Sequence, residues 1–289
     1  GGKKYPINLK LANDLVEPLT ELRDMIGMED IKNDIVPQIM YYLQYYEPVS
    51  RDMLHTVIQG KSGVGKTKFA KILASIYIAL GKADGFMIAT RSDLVGEYLG
   101  QTAKATYKTL CKAKGKVLFV DEAYSLGHKE GRDSYSKECI DTITQYIEAH
   151  REDLILIFAG YKDDLEACVF SVNSGLRRRF GFTYNIENYS GTELCNIFRF
   201  KVGEDKTGWM VDIDKHKCER YFQSKKHLFK FQGGDMERLF LSCRCIMAKE
   251  NFGKRVNKKI DMKTLKKSVT DLEKHRKSAD EEMLRHLYI

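Results

Sequence analysis

At 289 residues, with 43% hydrophobic and 30% charged side chains and a net charge of +8, the chain is long enough for one large α/β domain plus a smaller one. Its longest apolar runs, Ile72 to Leu80 and Leu154 to Ala159, fall well short of the about 20 residues of a membrane span, so no segment is expected to cross a bilayer. Seven scattered cysteines without a C-x-x-C pair speak for reduced thiols in a cytoplasmic compartment, and against a disulfide framework or zinc site.

Residues 1–24, with Pro6 and Pro18, read as an N-terminal linker or lead-in helix. The chain opens Gly1-Gly2 without a Met or a signal-like leader, which points to a natural N-terminus further upstream. Met25-Ile26-Gly27-Met28 precedes a helical stretch from Glu29 to about Tyr46 that Pro37 is expected to kink. The apolar run Leu54 to Ile58 reads as a strand. It leads into Gly60 to Thr67, GKSGVGKT, and then into a helical run from Lys66 to Leu80 that stops at Gly81. Strand, loop and helix are the context in which G-x-x-x-x-G-K-[ST] binds phosphate.

The residue types follow from that chemistry. Gly60, Gly63 and Gly65 let the backbone turn tightly, so that successive N–H groups face the phosphates. The helix that starts beside them adds its positive dipole end. The nucleotide-binding candidates are therefore Gly60, Lys61, Ser62, Gly63, Val64, Gly65, Lys66, Thr67 and Lys68. Lys66 is placed to meet the β- and γ-phosphates of ATP, and the Thr67 hydroxyl to ligate Mg²⁺.

Phe86 to Thr90 reads as a second strand and Arg91 to Gly100 as its loop, followed by a helix near Gln101 to Lys114. Val117 to Val120 is a third strand that ends in Asp121-Glu122, the Walker B arrangement. Asp121 is expected to hold Mg²⁺ with Thr67, and Glu122 to orient and deprotonate the attacking water. A polar loop from Gly127 to Ser136 and an amphipathic helix from about Lys137 to His150 come next. The fourth strand, Leu154 to Ala159, runs into Gly160-Tyr161. The basic cluster Leu176 to Phe180 precedes a fifth strand, Phe182 to Ile186. This alternation predicts an α/β domain over 25–188, a five-stranded parallel sheet with helices on both faces, with ligands at the strand C-termini. Residues 189–289 read as a small C-terminal all-helical lid domain with basic helices. Between 201 and 289 there are 22 Lys+Arg against 14 Asp+Glu, so the whole net charge falls there.

Taken together, FVDEAYSL (119–126), LVGEYLGQTAKAT (94–106), IDTITQYIEAHREDLILIFAGY (140–161) and NSGLRRRF (173–180) resemble the CbxX/CfqX group of AAA+ P-loop ATPases, a likeness that runs from about Leu22 to Phe240. The resemblance implies a homo-oligomeric ring, hexameric, with ATP between subunits and completed by an arginine from the neighbour. The family pattern G-L-R-S-R-F makes Arg179 the first choice for that arginine and Arg177 the second, with Arg178 in place of a small residue. It also implies that Ile26-Gly27 packs on the adenine, and that Tyr98 and Leu99 form an aromatic-aliphatic loop tip that grips a protein client in the pore. Two positions depart from the pattern. Gly160 stands where a polar sensor is expected, with Tyr161 or a main-chain group as a substitute. Glu237 stands where the second sensor's Arg is expected, and Arg238 after it is the nucleotide-binding candidate, expected to reach the γ-phosphate if the helix starts one residue later. The leading expectation is an ATP-driven protein-remodelling ring. The alternatives are a nucleic-acid-stimulated motor or loader that uses the basic C-terminal third and an ATP-gated scaffold with slow turnover.

Overall fold

The computed structural model describes residues 8–44, 53–98, 100–128, 134–254 and 257–287. Leu99, residues 1–7 of the expected linker and residues 129–133 of the expected polar loop lie outside the described residues. By contact the chain forms two units, Gly1–Lys61 with Gly65–Glu187, and Ser62–Val64 with Asn188–Ile289.

In the first unit the lead-in segment forms two short helices, α1 (Leu9–Asp14), capped by the Asn8 side chain, and α2 (Val16–Asp24). A turn with Gly27 and Met28 both left-handed opens α3 (Glu29–Leu43), which carries Pro37 inside it. Then come β1 (Thr56–Gly60), α4 (Lys66–Ala79), β2 (Phe86–Ala89), α5 (Arg91–Leu94), α6 (Thr102–Lys112), β3 (Lys116–Val120), α7 (Ser134–Ala149) and β4 (Leu154–Gly160). The short α8 (Lys162–Leu165) and α9 (Ser174–Arg177) lead to β5 (Phe182–Ile186). The strands are all parallel, in the order β2-β3-β4-β1-β5.

Burial on both sheet faces explains why β3 and β4 are continuous apolar runs in the sequence. Val57, Leu118, Val120, Leu156 and Phe158 enter one core with Leu110 of α6 and Ile140, Ile143 and Ile147 of α7. The alternate residues Val117, Phe119, Ile155 and Ile157 are buried on the opposite face, where α4 packs across the central strands. Two differences from the expected elements have local causes. The first strand begins and ends two residues later than Leu54 to Ile58, because Gly60 still pairs with Ile186 before the loop turns away. The segment Arg91–Leu94, expected as loop, is a turn of helix closed by a capping box between Thr90 and Asp93.

His55 precedes β1 and is 1% exposed. Its Nδ1 accepts the Leu156 N–H at 3.0 Å, so the folded state holds a neutral ring, and burial lowers its pKa from 6.5 to about 4. The unfolded chain takes up a proton below about pH 6.5 that the folded chain refuses, so this stability is present above that pH and lost as pH falls towards 4. About 2 kcal/mol should be gone by pH 5. Urea unfolding at pH 7.5 and pH 5.0 checks this: the loss should shrink in a His55→Gln variant, whose side chain does not titrate.

The second unit consists of α10 (Gly191–Glu204), α11 (Lys215–Lys225), α12 (Gln232–Glu250) and α13 (Met262–Leu287). A capping box between Ser190 and Glu193 starts α10. Phe222 packs between Phe198, at a ring separation of 5.7 Å, and Phe229, at 5.5 Å. The expectation of an all-helical domain needs one correction. Met210–Val211 (β6) and Lys259–Ile260 (β7) form a short parallel ladder, and two residues per strand are too few to leave a periodic signal.

Candidate nucleotide site

The sheet brings the loop after β1 and the acidic pair after β3 to the same edge, at the strand C-termini. Gly60 closes β1, Gly65 caps α4 with φ of 95°, and Lys66, Thr67 and Lys68 form the first helical turn. Lys66 Nζ donates to the carbonyls of Gly60 and Lys61, both at 2.9 Å. Burial lowers its pKa, and the Asp121 and Glu122 charges oppose that shift. Thr67 Oγ1 donates to Asp121 Oδ2 at 2.6 Å, and Asp121 Oδ1 accepts the Glu122 N–H at 3.0 Å. A hydroxyl and a carboxylate are hard oxygen donors, the set that Mg²⁺ takes. Thr67 and Asp121 lie 54 positions apart in the chain, and their contact joins the two motifs into one site.

Ser62–Val64 group with the second unit. Gly63 has φ of 75°, and a Cβ there would lie 2.0 Å from the Phe231 carbonyl oxygen, so glycine is required on both counts. Its carbonyl accepts the Gly233 N–H at 3.0 Å. The buried Val64 offers its carbonyl to the Tyr189 hydroxyl at 2.7 Å.

Glu122 is exposed and sits in the left-handed region at φ 48°. Only two other described non-glycine residues do so, and such backbone costs energy that functional sites often retain. Tyr124 follows two positions later, and the Glu122 charge, after burial, is the next cause that raises the pKa of its hydroxyl. The Tyr124 and Tyr161 rings lie 5.9 Å apart, and Lys66 Nζ stands 5.3 Å from the centre of the Tyr161 ring. Sequence reasoning singled out Tyr161 only as a substitute sensor and missed Tyr124. An aromatic two residues after a Walker B glutamate was the available signal.

The other candidates are placed elsewhere. Ile26 and Gly27 stand in the turn between α2 and α3, whose Met25 carbonyl accepts from Lys32 at 2.7 Å. Tyr98 is 66% exposed, at the tip of a loop closed by Gln101 N–H to Tyr98 O at 3.2 Å and Gly96 N–H to Thr102 Oγ1 at 3.1 Å. Leu99 lies outside the described residues. Arg179 donates to Glu148 and, at 2.6 Å, to the Gly175 carbonyl. Arg177 lies over the Phe170 ring at 5.1 Å and reaches Thr183 at 3.3 Å, whereas Arg178 is exposed. Within the second unit Glu237 pairs with Lys201 at 2.9 Å, and the Arg238 guanidinium stacks on Phe231 at 5.6 Å.

A family model described as "ATPase family associated with various cellular activities (AAA)" matches residues 56–188. The chain is 36% identical over 260 residues to the cfxQ-like protein R730 of Acanthamoeba polyphaga mimivirus, covering 87% of this chain and 63% of that protein. It is 34% identical over 201 residues to the chloroplastic ribulose bisphosphate carboxylase/oxygenase activase of Cyanidioschyzon merolae, covering 67% of this chain and 68% of that one. In fold it is similar to the crystal structure of the FIGL-1 AAA domain in complex with ADP, with a TM-score of 0.62 at 17% identity, covering 86% and 83% of the two chains. The chain thus spans less than two thirds of the mimiviral relative's length. No helix among the described residues is long and apolar enough to cross a membrane.

Proposed function

This chain belongs to the CfxQ group of AAA ATPases, and from that premise we propose that it hydrolyses ATP in a homo-oligomeric ring, hexameric, to remodel a protein client. The observation that carries the reading is the 2.6 Å contact from Thr67 to Asp121, with Glu122 following directly. It supports reading the loop as the phosphate site, Thr67 and Asp121 as a magnesium-type donor pair and Glu122 as the base. ATP is held by Gly60 to Lys68. Thr67 and Asp121 would hold Mg²⁺, which would supply charge neutralisation on the phosphates. Glu122 takes the proton from the attacking water, and Arg179 of the neighbouring subunit balances charge on the transferring phosphoryl group, with Arg177 as the second choice. The Cyanidioschyzon merolae relative's name, an activase of ribulose bisphosphate carboxylase/oxygenase, supports a protein client.

Tyr98 is the contact to that client in this reading, since tyrosine offers a large, rigid and partly polar surface at low entropic cost. ATPase rates measured over a series of protein concentrations should rise cooperatively as the ring forms. Adding an unfolded model polypeptide such as casein should raise the rate further, and Tyr98→Ala should remove that gain. A specific rate independent of concentration contradicts the ring, and an undiminished polypeptide response in Tyr98→Ala contradicts the loop assignment.

A second reading rests on a groove of about 920 Å³ between α12 and α13, lined by Lys249, Lys263, Lys266, Lys267 and Lys274. Lys267 is paired with Glu250, and Asp271 also lines the groove. Nucleic-acid binding there predicts a rate raised by single- or double-stranded nucleic acid, with affinity falling by orders of magnitude between about 50 and 200 mM salt.

A further inference from the structure

The end of β4 is the place where the family pattern expects a polar sensor and this chain has Gly160. The reason for the glycine is visible in its surroundings. A Cβ at Gly160 would stand 3.0 Å from Tyr124 Cδ1 and 3.1 Å from Leu165 Cγ, closer than a side chain tolerates without moving its neighbours. The missing side chain therefore makes the space that the Tyr124 ring fills. Tyr124 leaves the short 3₁₀ turn Ala123–Leu126 that follows Glu122, and that turn is fastened where Arg91 donates to the Ser125 carbonyl. Ala123 and Leu126, on either side of it, are fully buried. The ring is thus fixed by its own backbone, by the strand end beneath it and by Tyr161 beside it.

From this arrangement we propose that Tyr124 is a positioning residue for ATP hydrolysis: its hydroxyl donates to the Glu122 carboxylate and aims it at the attacking water. Tyr161 packs between Tyr124 and the Lys66 ammonium and links the aim of the base to the lysine that faces the phosphates. The aromatic pair thereby replaces the polar side chain that the end of β4 lacks. Burial first, and then the Glu122 charge, push the Tyr124 hydroxyl up to about 12. It therefore remains a proton donor throughout the neutral range. The left-handed Glu122 backbone fits the same role, because a carboxylate on an exposed, strained turn needs a fixed donor to have one orientation. The proposal rests on Glu122 being the base, and its test is built so that the two can fail separately.

The test compares steady-state ATPase kinetics of the full chain as wild type, Tyr124→Phe, Glu122→Gln and the double variant, with fluorescent-nucleotide binding and thermal melting measured for each. Loss of a hydrogen bond to a charged group should lower kcat of Tyr124→Phe about 10- to 100-fold. KM for ATP, nucleotide affinity and melting temperature should stay near wild type, which separates positioning from a purely structural role. In the Glu122→Gln background the same change should alter the residual rate less than about twofold, because the two residues act as one unit. Tyr161→Ala should lower kcat, and Tyr161→Phe, which restores the ring, should recover most of it. Wild-type kcat in Tyr124→Phe, or a loss of equal size in the Glu122→Gln background, overturns the proposal while the base assignment stands. Normal turnover by Glu122→Gln alone removes the base and overturns both.

Discussion

Glu122→Gln should bind ATP as tightly as the wild type and hydrolyse it about 10² to 10⁴ times more slowly. Glutamine keeps the shape of the side chain and one carbonyl oxygen, but it cannot accept a proton from water. The binding apparatus is untouched by this change: Lys66 remains anchored at the Gly60 and Lys61 carbonyls, and Thr67 still meets Asp121. Asp121 is the less suitable base, because both of its oxygens already accept hydrogen bonds, from Thr67 and from the Glu122 N–H. Single-turnover hydrolysis beside equilibrium binding of a fluorescent ATP analogue separates the two effects. Normal turnover in the variant contradicts the assignment.

The second large effect is expected at Arg179. Replacement by Ala should reduce the ATPase rate by about 10³ to 10⁵ under conditions where the ring forms, the usual size of a lost arginine finger. Arg177→Ala should cost less, since that side chain is committed to Phe170, Glu166 and Thr183 within its own subunit. Arg179 also has partners of its own, Glu148 and the Gly175 carbonyl. Glu148 is 42% exposed and shared with Arg151, and an ion pair so open to water is weak against a transferring phosphate charge. In the proposed ring, exchange of Glu148 for the neighbour's phosphates should therefore be favourable. Gly175 contributes by being small: a Cβ there would lie 3.1 Å from Arg179 Nη1, so a larger residue would crowd the guanidinium.

The parts of this account that were legible in the sequence are those whose cause is local. GKSGVGKT between a strand and a helix, and Asp121-Glu122 at a strand end, carry their chemistry in adjacent residues. The fully buried strands β3 and β4 announce themselves as apolar runs because both sheet faces are covered. The capping box Thr90-Arg91-Ser92-Asp93 was also written locally, yet it was absorbed into an expected loop. What was not legible depends on residues far apart. Gly160 looked like a defect in a sensor position until the ring of Tyr124, 36 positions earlier, was found against it. The requirement for glycine at 63 is set as much by the Phe231 carbonyl as by the loop itself. At the second sensor the sequence offered Arg238, one position after the place that Glu237 occupies, and in the structure Glu237 pairs with Lys201 while Arg238 stacks on Phe231.

The claim on which the rest depends is that each ATP site is shared, with Lys66, Thr67, Asp121 and Glu122 from one subunit and Arg179 from the next. Mixing Glu122→Gln subunits with Arg179→Ala subunits tests it directly, because each variant alone lacks one half of every site. In mixed rings, an Arg179→Ala subunit that meets the finger of a Glu122→Gln neighbour has a complete site. Equal mixing creates such a site at about a quarter of the interfaces. Two nearly inactive proteins should therefore recover roughly a quarter of the wild-type ATPase rate on mixing. Co-assembly of both variants, verified by cross-linking, with a rate no higher than either alone contradicts the shared site.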